Sequence, residues 1–380
     1  MSHIQRRKSP TTAKVTWRVR YIDPDGHEKS RSFKRKTDAE TFDTGVSHNL
    51  LSGAYVDPVL GQQTVQQYLE DWRARQAHHR PKTAASTRTR FRTMVYPHLG
   101  QRPIGKLRPS DIQKWQAALV ADDYAPSTIN GVRGQVAGAF NDAVTDRRIA
   151  SNPFLQVKPI DDPDQEVVPR TIAQVRAGQA AITNDRYHAV IPVDAGSGLR
   201  WAELFGLTVD RVNFLKRTIK VDRQLVGREK GGAPIFGPPK TKKSNRTVPV
   251  GKTVLDALAE HLRKYPAERH ELIFRTAQGG ALTRGVWQRA WIPARDAMEL
   301  QPGEGLHQLR HFYASLLIKE GLNVKEVQER LGHKTADETL NTYAHLWPGS
   351  EDRTRDAIDR AFTETHDDEE GTAAHGMGEN

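Results

Sequence analysis

The sequence predicts a multidomain protein: a small β-sheet-plus-helix N-terminal module, an all-α middle domain, and a mixed, mainly-α C-terminal domain with a small antiparallel sheet. Three observations carry this. A chain of 380 residues is enough for two or three domains. Trp17, Val19 and Tyr21 alternate with Arg18 and Arg20, which is strand periodicity, whereas Val65, Tyr68, Leu69 and Trp72 recur at the three- and four-residue spacing of a helix. Strand-like runs return only briefly, at Thr218 to Val221 and Val248 to Val250, inside an otherwise helical C-terminal part.

The formal net charge of +11 favours an acidic polymer as partner, with nucleic acid the leading candidate. There is no cysteine, which excludes disulfides, thiolate nucleophiles and cysteine-containing zinc sites and fits a reducing compartment. No apolar run approaches membrane-spanning length, and the opening MSHIQRRKSP lacks the apolar core of a signal peptide. A soluble, cytoplasmic protein with no membrane partner is expected, associated with the nucleoid when it is bound to DNA.

Taken in order, residues 1–55 form the basic module. The turn signal Asp23, Pro24, Asp25, Gly26 separates the strand at Trp17 to Tyr21 from a second one reaching Phe33, and Thr37 to Glu40 reads as a capping box opening a helix to about Leu51. Arginines on one strand face, Arg18 and Arg20, suit insertion of a β-ribbon into a DNA groove. Gly53 to Gly61 is the way out of this module.

Residues 62–153 form the helical domain. Thr64 to Gln67 is a capping box, a second helix is expected over Ser86 to Tyr96, a third after Ser110 with Ile112, Trp115 and Leu119 buried, and a fourth after Pro126. Lys82, Arg88, Arg90, Thr128, Asn130 and Arg133 are candidates for phosphate contacts, which position a protein on DNA without reading its sequence. Residues 154–170, rich in Pro and Asp, read as a linker.

Residues 171–348 carry the chemistry. After helices opening near Thr171 and spanning about Tyr187 to Ala195, the segment GSGLRWAEL breaks at Gly196 and Gly198, so that Arg200 starts a new helix with Glu203 one turn later. Lys240, Lys242, Lys243 and Arg246 crowd a Gly- and Pro-rich excursion before the second strand. The stretch from Gly305 to Leu346, GLHQLRHFYASLLIKEGLNVKEVQERLGHKTADETLNTYAHL, reads as three short amphipathic helices. On the first, His307 and Arg310 lie one turn apart and share a face, with Phe312, Leu316 and Leu317 free to turn toward a core. Asn323 caps the second, Val324, Val327 and Leu331 form its buried stripe, and Gly332 stops it, placing His333 after a sharp turn. From Thr339 a last helix presents Tyr343. Taken singly, each of these is an ordinary cap or rim residue. Together, Arg and His donors around a phenol meet the needs of phosphoryl transfer: charge neutralisation, a proton-transfer group and a nucleophile. The set is cationic, whereas two-metal nucleases need clustered carboxylates, so no metal or other cofactor is expected.

This pattern closely resembles the tyrosine recombinases, the phage-integrase family: Gly-Leu-Arg followed at three by Glu, a histidine and an arginine three apart, then LGH, then a tyrosine followed at two by a histidine. The resemblance covers about Thr171 to Trp347. It implies that Arg200, Lys240, His307, Arg310, His333 and Tyr343 are catalytic, with Glu203 a buttress behind Arg200. Tyr343 would attack a DNA phosphate to form a 3′-phosphotyrosyl link and release a 5′ hydroxyl. Arg200 and Arg310 would stabilise the transition-state charge, His307 would act as general base or phosphate ligand, and His333 would hydrogen-bond the transition state. A lysine of the hairpin would protonate the leaving oxygen; Lys240 is the best match and Lys242 the alternative, with Lys243 beside them as a DNA contact.

The resemblance further implies an arm-type DNA-binding module at 1–55, a core-binding domain at 62–153, and a homotetramer acting on double-stranded attachment sites of core and arm type. An excisionase and a host DNA-bending protein enter as further partners whose identity the sequence does not give. A type IB topoisomerase would share the active site but is disfavoured by the N-terminal module and the LGH signature. A chromosome-dimer-resolving recombinase typically lacks such a module, and a non-catalytic DNA-binding regulator gives no reason for the six-residue set. Residues 349–380, with the acidic run Asp367 to Glu370, are expected to be disordered.

Overall fold

The computed structural model describes residues 2–8, 15–24, 26–52, 55–57, 59–163, 166–239, 241–347 and 354–362. The chain divides into two compact units, Met1–Asp164 and Gln165–Asn380. Among the described residues no helix is long and apolar enough to cross a membrane.

The first unit begins with an antiparallel sheet of β1 (His3–Lys8), β2 (Val15–Ile22) and β3 (Glu28–Phe33), in that order, packed on α1 (Lys36–Leu51). Alternation along β2 sends Val19 and Tyr21 into a small core with Ala39, Val46 and Tyr55, while Arg18 and Arg20 lie opposite Gln5 and His3 of β1 on the other face. The expected capping box at Thr37 is absent. Only Lys34 and Arg35 separate β3 from the helix, which therefore starts at Lys36 with Arg35 as an uncapped N-cap, and Thr37 lies inside its first turn.

The helical part of this unit comprises α2 (Val65–Arg75), α3 (Pro81–Arg90), a short α4 (Tyr96–Leu99), α5 (Pro109–Ala121) and α6 (Pro126–Thr145). The Thr64 and Gln67 capping box forms as the spacing predicts. Three of these helices begin with proline at the first helical position, where a fixed φ and a missing N–H cost nothing. The second helix accordingly starts at Pro81, not at Ser86, and runs through a π-turn at Phe91–Val95 into α4. The core joins Tyr68, Trp72, Phe91, Trp115, Phe140 and Phe154.

Phe154 is fully buried, and Val157 also joins this core, so the predicted linker starts too early. The segment is docked by two of the residues expected to touch phosphate. Asn130 donates to Ile160 O at 2.8 Å and accepts from Ile160 N at 2.9 Å, and Arg133 donates to Phe154 O at 2.7 Å and to Val157 O. Tertiary pairing of this kind has no local sequence signal. Lys82 and Arg88 are exposed, and Arg90 and Thr128 are half-buried.

The second unit is mainly helical around two small sheets. Helices α7 (Ile172–Ala180), α8 (Val190–Ala195) and α9 (Trp201–Leu204) precede a sheet of β4 (Val212–Asn213), β5 (Thr218–Val221) and β8 (Arg246–Pro249). Between β5 and β8 lies an antiparallel hairpin of β6 (Gln224–Arg228) and β7 (Pro234–Gly237), within the excursion where the resemblance implies a hairpin. The helix expected over Tyr187 to Ala195 is broken: a 3₁₀ turn at Asp185–Tyr187, capped by Asn184, precedes α8. Next come α10 (Lys252–Lys264), α11 (Arg284–Ala297), α12 (His307–Lys319), α13 (Val324–Leu331) and α14 (Ala336–Tyr343). The last helix starts at Ala336, three residues before the predicted Thr339, with Thr335 as its N-cap.

On α12 the buried face is Leu309, Arg310, Tyr313, Ala314 and Ile318, with Phe312 and Leu317 only partly buried against the core. In the tail, residues 354–362 are helical and exposed, contrary to the expectation of no ordered element; the run Asp367 to Glu370 lies outside the described residues.

Candidate active site

Two chain breaks and three helices build the site. Gly198, at φ +58°, turns the chain between α8 and α9; an added Cβ there would lie 2.4 Å from Cδ1 of Tyr313. Gly332, at φ +66°, ends α13 in the left-handed conformation that its sequence position predicts. The carbonyls exposed at these breaks are where the arginines land. Arg310, 1 % exposed, donates to Gly198 O at 2.6 Å and to Leu331 O at 2.7 Å. Arg200 donates to Gly332 O at 3.0 Å and to Ser244 Oγ at 3.4 Å. The guanidiniums of Arg200 and Arg310 thus grip adjacent carbonyls at the end of one helix.

Charge crowding has electrostatic consequences. Burial, with Arg200 and Arg246 nearby, pushes the Arg310 pKa down to about 9. A guanidinium held in such surroundings gains most from an anion, because the anion supplies the charge its neighbours lack.

Glu203 is the counterweight. Its carboxylate accepts from Arg200 Nη1 at 3.1 Å, from the Arg200 backbone N–H at 3.0 Å and from Arg246 Nη2 at 2.9 Å. Burial pushes this carboxyl up, but Arg246 and Arg200 outweigh it and hold the pKa below the ordinary range. Arg246 also donates to Arg330 O at 2.8 Å, tying β8 to the end of α13. The sequence reading treats Arg246 as one of a basic run; the alternation that places it at the first position of β8 was its only signal.

His333 follows Gly332 directly and is buried, with Nδ1 2.9 Å from Thr339 Oγ1. Burial and then Arg310 push its pKa down to about 4. His307 is likewise lowered by burial and by Arg310 and Arg200. Both shifts favour the neutral imidazole at pH 7.

Tyr343 ends α14 at 1 % exposure, and burial raises its pKa to about 12 despite Arg310. Its hydroxyl lies 2.8 Å from Nδ1 of His311, a residue the sequence reading does not single out. His311 stands four residues after His307, hence one turn away on the same face, and their rings meet edge to face at 4.6 Å. That spacing was the available signal.

The structure therefore places Arg200, Glu203, His307, Arg310, His333 and Tyr343 in one network of contacts and electrostatic influence. Lys240 lies outside the described residues, Lys242 begins a 3₁₀ turn at Lys242–Ser244, and Lys243 is exposed beside it. Ser244 at the end of this turn is buried and bonded to Thr241 at 2.9 Å, so the lysine-bearing segment is anchored next to Arg200. In the first unit, Arg18 and Arg20 are half-buried, with Arg18 3.4 Å from Ser32 Oγ and Arg20 3.1 Å from Glu28.

Comparison with known proteins identifies the family. The phage integrase family matches residues 164–348, and the N-terminal SAM-like domain of phage integrases matches residues 62–120. The transposase from transposon Tn916 of Enterococcus faecalis is 27 % identical over 296 residues, 72 % of each chain. An integrase of Streptomyces ambofaciens is 28 % identical over 339 residues, 85 % of this chain and 86 % of the relative. Among solved structures, the Tn1549 transposon integrase in complex with a circular intermediate DNA superposes with a TM-score of 0.67 at 25 % identity, over 79 % of this chain and 99 % of that one. The fold is also that of a lambda integrase tetramer bound to a Holliday junction, at a TM-score of 0.56 and 17 % identity over 84 % of this chain and 91 % of the other. With two family domains matched in order and the arginine, histidine and tyrosine side chains gathered in one place, the chain belongs to the phage integrase family of tyrosine recombinases.

Proposed function

We propose that the cluster around Tyr343 is the strand-cleaving centre of an integrase that inserts or excises a phage or other mobile element. As a tyrosine recombinase the protein is a site-specific DNA strand transferase, cutting and rejoining DNA through a covalent phosphotyrosine. In the proposed assignment Tyr343 Oη attacks the scissile phosphorus and the 5′ oxygen departs. Arg200 and Arg310 hold the non-bridging oxygens in the transition state, with forked donors suited to phosphate geometry. His333 and His307 add hydrogen bonds there, and Lys240, with Lys242 as alternative, protonates the leaving oxygen. Because the phosphotyrosyl link conserves the bond energy, the 5′ hydroxyl of a partner duplex reverses the step and strands are exchanged.

The observation that carries this reading is the pair of arginines on the adjacent carbonyls of Leu331 and Gly332, with His333 next in the chain and Tyr343 buried within the electrostatic reach of Arg310. A phosphate entering this site would compete for donors now spent on backbone oxygens. Charge supports DNA as the partner throughout: Lys82 and Arg88 are exposed on α3, and Arg18 and Arg20 share the outer face of the N-terminal sheet. We assign core-type DNA to the helical domain and arm-type DNA to the N-terminal sheet, with the working assembly a tetramer on paired sites. Excisionase and host bending protein belong to that assembly as further partners.

The test is a nicked suicide duplex carrying the core of the element's attachment site, incubated with wild-type protein and with Tyr343→Phe. Wild type is expected to yield a band that survives denaturation, and the variant to bind the duplex with unchanged affinity and yield none. An equal adduct from Tyr343→Phe would remove Tyr343 from the mechanism.

A further inference from the structure

We infer that His311 is the general base that takes the proton from Tyr343 as it attacks, which leaves His307 to the phosphate. The inference rests on the assignment of Tyr343 as nucleophile and goes beyond it. Three observations support it. Nδ1 of His311 lies 2.8 Å from Tyr343 Oη, within direct proton-transfer range, with no group between them. Tyr343 is buried at the end of α14, and His311 is half-buried on α12 with its ring against that of Tyr343. And the two histidines of α12 face different surroundings: His307 is influenced by Arg310 and by Arg200, the pair assigned to the phosphate, whereas His311 meets Tyr343 directly and has His307 and Arg310 as its charged or titratable neighbours.

The protonation states agree. Burial, followed by His307 and Arg310, pushes the His311 pKa down to about 4, so at pH 7 the imidazole is neutral and its Nδ1 lone pair is free to accept from the phenol. With the phenol near 12, the proton stays on oxygen in the free protein. Both values move in the transition state. Bond formation to phosphorus withdraws charge from the phenolic oxygen, and the negative charge of the phosphodiester favours an imidazolium beside it. The Oη–P bond forms, the P–O5′ bond breaks, the phenolic proton passes to Nδ1 of His311, and the leaving oxygen takes its proton from the hairpin acid. In rejoining, His311 returns the proton to Tyr343.

The experiment measures the rate of the Tyr343-dependent adduct on the nicked attachment-core duplex, across pH, for the full chain and for His311→Asn and His311→Gly. His311→Asn is expected to slow the adduct by about 10²-fold or more, the scale of a lost general base, while gel-shift affinity stays within about threefold. Its rate should keep rising with pH where wild type levels off, because hydroxide replaces the missing base. Added imidazole should restore His311→Gly, as it would not if the side chain only held α12 against α14. Cleavage by His311→Asn within about threefold of wild type would overturn the inference. So would a slow variant with an unchanged pH profile and no imidazole rescue, which would make His311 a purely structural contact. Should His311→Gly fail to fold, the pH profile of His311→Asn decides alone. A wild-type chain that forms no adduct overturns the underlying assignment of Tyr343 instead, and is told apart by that fact.

Discussion

Two buried carboxyls close to the site, Glu203 and Asp194, show how environment sets the role of a side chain. Glu203 is surrounded by donors from Arg200 and Arg246 and stays ionised. Asp194 is fully buried, neither of its carboxylate oxygens has a hydrogen-bond partner, and burial raises its pKa well above the ordinary value against the pull of Arg310. Their pH linkages run in opposite directions. Glu203, depressed in the folded state, contributes stability that is complete above its unfolded pKa of about 4.3 and is lost as pH falls through that value toward the folded one. Glu203→Gln strips two half-buried arginines of their buried counter-ion and is expected to cost about 3 kcal/mol at pH 7, read by denaturant melts. Asp194, raised in the folded state, opposes folding increasingly as pH climbs from about 3.9 toward its folded pKa. Asp194→Asn keeps the shape of the neutral form, so its melting temperature should gain on wild type as pH rises from 4 to 8. A constant difference across that range would show that Asp194 does not titrate in this way.

At the scale of elements, the site depends on where helices stop. Arg310 and Arg200 reach carbonyls that are free because α8 gives way to a left-handed glycine at Gly198 and α13 ends at Gly332. Gly198→Ala would force a Cβ into the ring of Tyr313 on a left-handed backbone whose strain alone costs about 1–2 kcal/mol. The expected outcome is a lower melting temperature together with a loss of adduct formation larger than the stability loss explains, because Arg310 loses its seat on Gly198 O. Adduct rates measured well below the melting transition check this.

The same scale explains what the sequence made legible. Caps and stops are local: Thr64 with Gln67 and Asn323 with Gly332 form as their spacing predicts, and a helix opens at Thr171 as expected. Where the outcome is tertiary, the reading fails. Thr37 loses its cap to a two-residue connection, and Asn130 and Arg133 are taken by the backbone of residues 154–160. The β6 and β7 hairpin was expected from the resemblance, but glycine and proline hide where its strands run. His311 belongs between these cases: its helix and its face were readable, but its partner thirty-two residues later was not.

For the whole molecule, the excess of positive charge and the order of the domains point to one partner, and the buried phenol points to one reaction. Arg310 acts on Tyr343 electrostatically, His311 touches it, and Arg200, His307 and His333 are linked to it through Arg310, a set suited to attack on a phosphate with stabilisation by fixed cations and proton transfer by imidazole. The site of the covalent bond to DNA decides whether Tyr343 is the nucleophile. The most direct measurement is to trap the adduct on a nicked attachment-core duplex, digest protein and DNA to a nucleotide-bearing peptide, and locate the modification by mass spectrometry. A 3′-linked nucleotide on Tyr343 and on no other residue is expected. A nucleotide found on another side chain, or attached through its 5′ end, would contradict it.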